Sequence, residues 1–399
     1  MVSEKEVSPD QQAEEAGSAT HERGLSTMAI LAKGGHGPVI EKTRRLSEDF
    51  KDMLVAAYGD LISRPQLSLK TRELVTVATL VSLGNARNSL KFHFGGMLNV
   101  GWTSDEILAL VMHCLMNAGL SQVVDALECL AAATDEIQGL QFSARQDASE
   151  NAARPVTAQL PSSVRRALSS DTDLTVNELA AQLAYSSFKA NAILSIKDLE
   201  LTDLSLAIAR GNDTEGIREH ALACLRAGWS RTEICEAAIH LTGYVGWPPV
   251  MVAIDPLLSA LELFDEGRDP PDDESVWNAG EVVTPACQPC GDNGREVVES
   301  AKRAILDAYE AQAFSKTGLD PATSALVKIA ALSATARASD EAAIALHARQ
   351  ARSAGVEWPQ IEEALRQVMP YATFARTMRC SALAKAGYFG TANHRQDDQ

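Results

Sequence analysis

Residues 67–74 read LSLKTREL and residues 194–201 read LSIKDLEL, an offset of 127 that decides how the chain is organised. The same offset carries Gly84-Asn85 onto Gly211-Asn212, His93 onto His220 and Gly101-Trp102 onto Gly228-Trp229 without a gap. It also carries Glu106-Ile107 onto Glu233-Ile234, His113 onto His240 and Gly119 onto Gly246. A second step of 127 reaches a weaker copy, taking His220 to His347, Gly228 to Gly355, Ile234 to Ile361 and Tyr244 to Tyr371. The opening of that copy at Leu319 fits a shift of 252 from Leu67, which implies a short insertion before His347. One module therefore occurs three times, duplicated and diverged.

Composition places boundaries between the copies. Residues 1–27 are expected to be a disordered acidic tail, 28–144 module one, 145–176 a linker rich in small and polar residues, and 177–264 module two. An acidic Pro/Gly linker follows at 265–294, then a degenerate module three at 295–391 and a tail at 392–399.

Each module reads as helices, so the fold class is all-α. Leu69, Val77, Leu80 and Val81 predict a buried helix over 69–83, and Leu90, Phe94, Met97 and Leu98 a helix over 88–100 closed by Gly101. Thr103 and Glu106 form a capping box opening a helix through Met116, and Ser230 and Glu233 repeat it, which accounts for both glutamates. No stretch sustains the two-residue alternation of a strand.

Composition and charge exclude several classes. With 46% hydrophobic and 22% charged residues the chain is an ordinary globular protein. Its net charge of −17 argues against nucleic acid and against docking on an anionic membrane. Much of that charge lies in residues 1–27 and 265–274, so it describes tails and a linker more than a binding surface. No apolar run is expected to reach the 18–20 residues that span a bilayer, and the seven cysteines show no disulfide framework. A cytoplasmic protein with reduced thiols is the expectation. Cys287 and Cys290 form a single pair in a Pro/Gly context, too few ligands for structural zinc and poorly placed for redox chemistry.

The residues that carry chemistry are few. His93, His220 and His347 hold one position in three modules, each between apolar neighbours at helical spacing. Burial beside a carboxylate brings an imidazole pKa near neutrality, though a structural histidine has the same pattern. Glu73 lies above Val77 and Leu80, and Glu200 above Leu204 and Ala207, either as buried acids or as solvent-facing glutamates of a first helical turn. Module three has Ala325 there. His240 and Tyr244, before the Gly246-Trp247-Pro248 helix end, either wall a pocket or terminate a helix. Lys91 and Arg218, two residues before their histidines, either hold a substrate carboxylate or are solvated charges.

These residues support a resemblance. The stretch RPQLSLKTRELVTVATLVSLGN, followed by KFHFGGMLNVGWTSDEI and HCLMNAG, resembles the carboxymuconolactone decarboxylase family. Module two is similar and keeps Tyr244, Gly246 and Pro248; module three is similar more loosely, from Leu319 to Gly387. The resemblance implies small all-α subunits that assemble into trimers or hexamers, and either cofactor-independent decarboxylation or dithiol peroxidase chemistry. The peroxidase pair is replaced by Ala86 and Ser89, by Asp213 and Gly216, and by Asp340 and Ala343, so that chemistry is disfavoured.

The decarboxylase carry-over is Glu73 and His93 with Glu200 and His220 as catalytic residues, and Lys91, Arg218, His240 and Tyr244 as substrate-binding residues. No metal and no cofactor are expected. The resulting expectation is a lyase acting on a small carboxylated lactone or carbonyl-conjugated substrate. An isomerase or cyclase on a related compound, or a scaffold of decayed modules, remains the alternative. No module keeps the whole family set, and a pocket completed by residues from two modules would explain the scattered losses. A homodimer making a six-module particle is the expected assembly.

Overall fold

A computed structural model describes residues 9–84, 86–142, 193–211, 213–268, 294–300, 302–303, 318–335, 340–368 and 374–390. These divide into two compact units, Met1–Leu306 and Asp307–Gln399. All regular structure among the described residues is helical.

The first unit opens with α1 (Pro9–Leu31), α2 (Gly37–Arg44) and α3 (Glu48–Ala57), the last running into a π-helical turn at Tyr58–Ile62. Residues 9–27 of the expected tail lie within α1, where Gly24 is buried and Leu25 packs partly against the cluster that Met28 and Leu31 of module one form. Met28 and Leu31 bury fully against Val55, Tyr58 and Ile62, and an apolar patch of that kind ties a segment down whatever its overall charge. Gly24 and Gly59 allow the approach, since a Cβ at either would lie about 2 Å from the carbonyl oxygen of Val55 or Thr20.

Module one continues with α4 (Leu69–Leu83), α5 (Arg87–Asn99), α6 (Ser104–His113), α7 (Leu115–Ala118) and α8 (Leu120–Ala133). Module two supplies α9 (Ile196–Arg210), α10 (Thr214–Arg226), α11 (Arg231–Val245) and α12 (Trp247–Asp265). The duplicated sequence makes duplicated caps. Ser68 accepts from Thr71 N at 3.0 Å and Ser195 from Asp198 N at 3.1 Å, while Thr103–Glu106 and Ser230–Glu233 form both capping boxes. The Gly-Trp repeat is also explained: Trp102 Nε1 donates to Lys70 O at 2.9 Å and Trp229 Nε1 to Lys197 O at 2.7 Å, each indole lying under the lysine it meets.

Modules one and two share their interior rather than abutting as beads. Helix α4 packs along α9, α11 crosses α4, and α7 touches α9. Leu67 and Val75 of module one belong to the apolar cluster built mainly by Leu201, Leu204, Ile217, Ile234 and Leu241 of module two. Residues 294–300 are helical and also belong to this unit: Val298 is buried, Arg295 pairs with Asp135 at 3.1 Å, and Lys302 approaches Glu128 at 3.7 Å.

Helix α12 corrects a second reading, because its 19 residues are long and apolar enough by length and composition to cross a bilayer. Its Val250, Ala253, Leu257 and Leu261 face is packed in the module-two core, while Trp247, Met251, Ile254 and Leu258 are exposed on another face.

The second unit contains α13 (Pro321–Thr335), α14 (Asp340–Ser353), α15 (Trp358–Val368) and α16 (Phe374–Phe389). Its core joins Ala325, Ile329, Ile344, Ala348, Ile361 and Leu365, and Gly387 lets α16 meet the Ala345 backbone. Cys287, Cys290 and most of both linkers lie outside the described residues. The five described cysteines, Cys114, Cys129, Cys224, Cys235 and Cys380, are free thiols.

Candidate active site

Glu73, in the second turn of α4 rather than the first, points inward and is fully buried. Its two oxygens accept from His93 Nδ1 of α5 at 2.9 and 3.2 Å, which fixes the imidazole and leaves Nε2 as the nitrogen facing away from the carboxylate. Gly96, one turn beyond His93, makes the pairing fit: a Cβ there would lie 2.4 Å from Glu73 Oε2. Leu31 of α1 lies on the same side, and Asn99 Nδ2 donates to its carbonyl at 2.6 Å. Leu31, at the end of the helix that begins in the expected tail, therefore walls the site.

Module two completes this group. The Tyr244 ring of α11 lies edge-on to His93, with centroids 5.6 Å apart, and the His240 ring is 5.3 Å from Tyr244. His240 Nε2 and Thr76 Oγ1 of α4 share a hydrogen bond of 2.8 Å. Beneath them the fully buried Arg72 donates through Nη2 to Glu236 Oε1 at 2.7 Å and to Arg64 O at 2.8 Å, and Arg64 Nε reaches the same carboxylate oxygen at 2.6 Å. Two polar atoms in this region, Arg72 Nη1 and His240 Nδ1, are buried with no hydrogen-bond partner, and the buried Tyr244 hydroxyl has only a weak approach to Thr76.

The electrostatics keep these groups in defined states. Burial, then the charges of Arg72 and His93, pushes the His240 pKa well below the usual imidazole value, so this ring is neutral. Burial and the nearby Glu73 push the Tyr244 phenol well up, and Tyr58 is raised by the same two causes, so both keep their protons. Burial works against the Glu236 charge, but hydrogen bonds from Arg64 and Arg72 and their positive charges outweigh it and hold the carboxyl low. Burial lowers the Arg72 pKa from its high ordinary value, with Glu236 opposing.

The offset of 127 generates a second group across the same interface. Glu200 and Asp203 of α9 and His220 of α10 are all buried, and one donor atom from each lies within 4.8 Å of the others. Module one now lends the completing residues. His113 Nε2 lies 2.8 Å from Asp203 Oδ1, and Asn117 Nδ2 donates to that oxygen at 2.7 Å. The exchange is reciprocal: Thr76 meets His240 as Asp203 meets His113, and Tyr244 and Asn117 occupy matching positions.

Among the sequence candidates, the structure gathers Glu73, His93, His240 and Tyr244 at one place and Glu200 and His220 at the other. It does not bring in Lys91, which pairs with Glu136, or Arg218, which pairs with Glu215; both point away toward the partly solvated helix surface where such pairs form. His347 of the third module is hydrogen-bonded to Gln350 at 2.7 Å, and Ala325, in the glutamate position, is part of the core. Thr76, Asp203, Arg72, Glu236 and Asn117 are not among the sequence candidates. Thr76 and Asp203 stand one turn after their glutamates, a register that the repeat itself would have exposed.

An all-α unit with paired helical repeats, each holding a buried Glu–His pair and lending residues to the other, defines the class. The chain belongs to the carboxymuconolactone decarboxylase family, which it matches over residues 48–132, 175–258 and 300–386. A relative, the 4-carboxymuconolactone decarboxylase of Acinetobacter baylyi (strain ATCC 33305 / BD413 / ADP1), is 38% identical over 82 residues, 20% of this chain and 60% of the relative. The chain thus spans less than two thirds of that relative's length.

Proposed function

We propose that the Glu73–His93 site is a decarboxylase-like lyase centre for a small carboxylated lactone or carbonyl-conjugated acid. The observation that carries the reading is the gathering of Arg72, His240 and Tyr244, with Arg72 Nη1 and His240 Nδ1 buried and without a hydrogen-bond partner, beside a buried Glu–His pair. Unsatisfied buried groups of this kind are costly, and a polar ligand relieves them.

The chemistry follows from where charge moves. Breaking the bond to the departing carboxylate releases CO₂ and leaves its electron pair delocalised onto the conjugated carbonyl oxygen as an enolate. Arg72 and the protonated Tyr244 meet that developing charge in a water-poor setting, where fixed donors act most strongly. His93 then delivers a proton from Nε2 to carbon, and Glu73, hydrogen-bonded at Nδ1, stabilises the imidazolium before transfer. The proton is regained from solvent after product leaves. The relative's printed name supports this class of reaction without fixing the substrate.

Module three is proposed as non-catalytic, on the observation that Ala325 and the His347–Gln350 contact replace the Glu–His pair.

The test is CO₂ release by the full chain from a panel of lactone carboxylates, with His93→Gln and Tyr244→Phe in parallel and folding followed by circular dichroism. Activity in the wild type that collapses in His93→Gln is expected. A product of unchanged mass would move the reading to isomerisation or cyclisation. Wild-type rates in both folded variants would remove the site.

A further inference from the structure

The third module differs from the other two in how much of its central helix is covered. In modules one and two the central helices α4 and α9 are packed on every side: each residue from Arg72 to Val81 and from Leu199 to Ala209 is buried. Part of that cover comes from the other module, since α4 lies along α9 and Val75 enters the apolar cluster of module two. The shift of 252 that carries Leu67 to Leu319 makes α13 the counterpart helix, with Val327 in the place of Val75 and Ala331 in the place of Thr79. On α13, Ala325, Ile329 and Ser333 are buried at four-residue spacing, the stripe that faces the module's own core. The opposite side is open. Val327 is 51% exposed where Val75 and its module-two counterpart Thr202 are at 0%, and Ala331 is exposed where Thr79 and Leu206 are buried.

That open side has the chemistry of a covered one. From Pro321 to Thr335 the only charged residue is Lys328, and a helix that is apolar all round belongs where neighbours cover all of it. Beside the exposed residues, α13 and α15 form a groove of about 450 Å³ walled by Leu326, Val327, Ala330, Ala334, Ala364 and Val368. Its α15 wall is the counterpart of α11, the helix that crosses α4 at the junction of modules one and two. Lys328 stands at the position of Thr76 and Asp203, the residues that reach across that junction to His240 and His113. Gln367, at the position of both histidines, borders the same groove. The face through which the first two modules recognise each other is thus present a third time, and its natural complement is another module of the same fold. Two identical faces related by a two-fold axis cover each other reciprocally and leave neither open.

We propose that the open side of α13, with its groove against α15, binds the same face of a second copy of this chain. The pairing repeats between two chains the junction that modules one and two make within one. It gives the module without a Glu–His pair the task of joining chains, and it stands apart from the lyase reading because it concerns another surface and a different measurement.

The experiment measures the mass of the full chain in solution by sedimentation equilibrium at micromolar concentration. A dimer of twice 42.7 kDa is expected. Val327→Glu and Ala331→Glu each put a charge at the centre of the paired face, on positions that are exposed within one chain. Both variants should therefore fold by circular dichroism, and each should weaken dimerisation by at least about 100-fold. Met251→Glu, on the exposed side of α12, should leave the dimer intact. A monomeric wild type overturns the proposal. So do dimers that persist unweakened in both folded variants, and so does a dimer that Met251→Glu separates while Val327→Glu and Ala331→Glu do not.

Discussion

The two composite sites descend from one arrangement and have parted along a single line. At Glu73 the buried acid is paired with His93 and surrounded by groups that donate hydrogen bonds: Arg72, Tyr244 and the neutral His240. At Glu200 the same helix face gains Asp203 and loses the guanidinium to Leu199. The first gathers donors around its acid, whereas the second sets a second carboxylate beside its own. Duplication within one chain permits this, because each copy can lose what the other retains while the shared interface holds the halves of both sites in place.

The largest effect should come from removing the proton donor of one site and asking whether the other notices. His93→Gln is expected to lower kcat/KM for the lactone-carboxylate substrate by about 10²–10⁴. His220→Gln should change it by less than tenfold. Equal losses of turnover in the two would show that the sites have not divided their roles.

Next comes the charge network found only at the first site. Arg72→Leu leaves Glu236 buried with Arg64 as its remaining ion-pair partner, and should cost about 3 kcal/mol in urea unfolding. Adding Glu236→Ala recreates the Leu199 and Ala109 pair of the other site and should recover most of that loss. A double variant as unstable as the single would mean that the network is not what the interface requires.

A smaller change tests geometry without altering any charge. Gly96→Ala puts a methyl where the Glu73 carboxylate sits, whereas module two carries Ala223 at the matching position. The flexible carboxylate should shift rather than the fold, so kcat is expected to fall about 10–100-fold with unchanged circular dichroism. Full activity in this variant would mean that Glu73 does not position His93.

The mildest contrast lies in pH. His240 is neutral when folded and its folded pKa is depressed, so between that value and its ordinary value near 6.5 the unfolded chain binds the extra proton. Its contribution is therefore full above about pH 6.5 and declines as pH falls toward the folded pKa. Glu236 acts in the same sense at lower pH: its depressed pKa gives stability that is present above the ordinary carboxylate value and is lost as pH falls through the folded one. Melting temperature measured from pH 8 to 4 should therefore fall on the acid side, and His240→Asn should flatten the fall between pH 6.5 and 5.5. An unchanged acid limb in that variant would place the titration elsewhere.

Much of this architecture is legible from residues alone. The helix over Leu69–Leu83 has the predicted bounds, both capping boxes form, and Glu73 and His93 can meet because each sits on the apolar face of its own helix. Lys91 and Arg218 were misjudged because position relative to a histidine does not tell which way a long side chain swings, and nearby glutamates capture both. Within residues 17–27 the acidic average hides Gly24, Leu25 and Thr27, which pack against neighbouring helices. Asp203 was missed because it is apolar in neither copy and chemically interesting in only one.

The sequence by itself determined the repeat, the helices and which acids and histidines share the apolar faces, since a helical period of 3.6 records which side chains face inward. Only the tertiary structure decided that His240 and Tyr244 belong to Glu73, and that His113 and Asn117 belong to Asp203. Those partners are 86–171 residues apart in sequence, and a periodic pattern marks a face to be covered without naming the helix that covers it. Packing two copies against each other made that choice, and with it both sites.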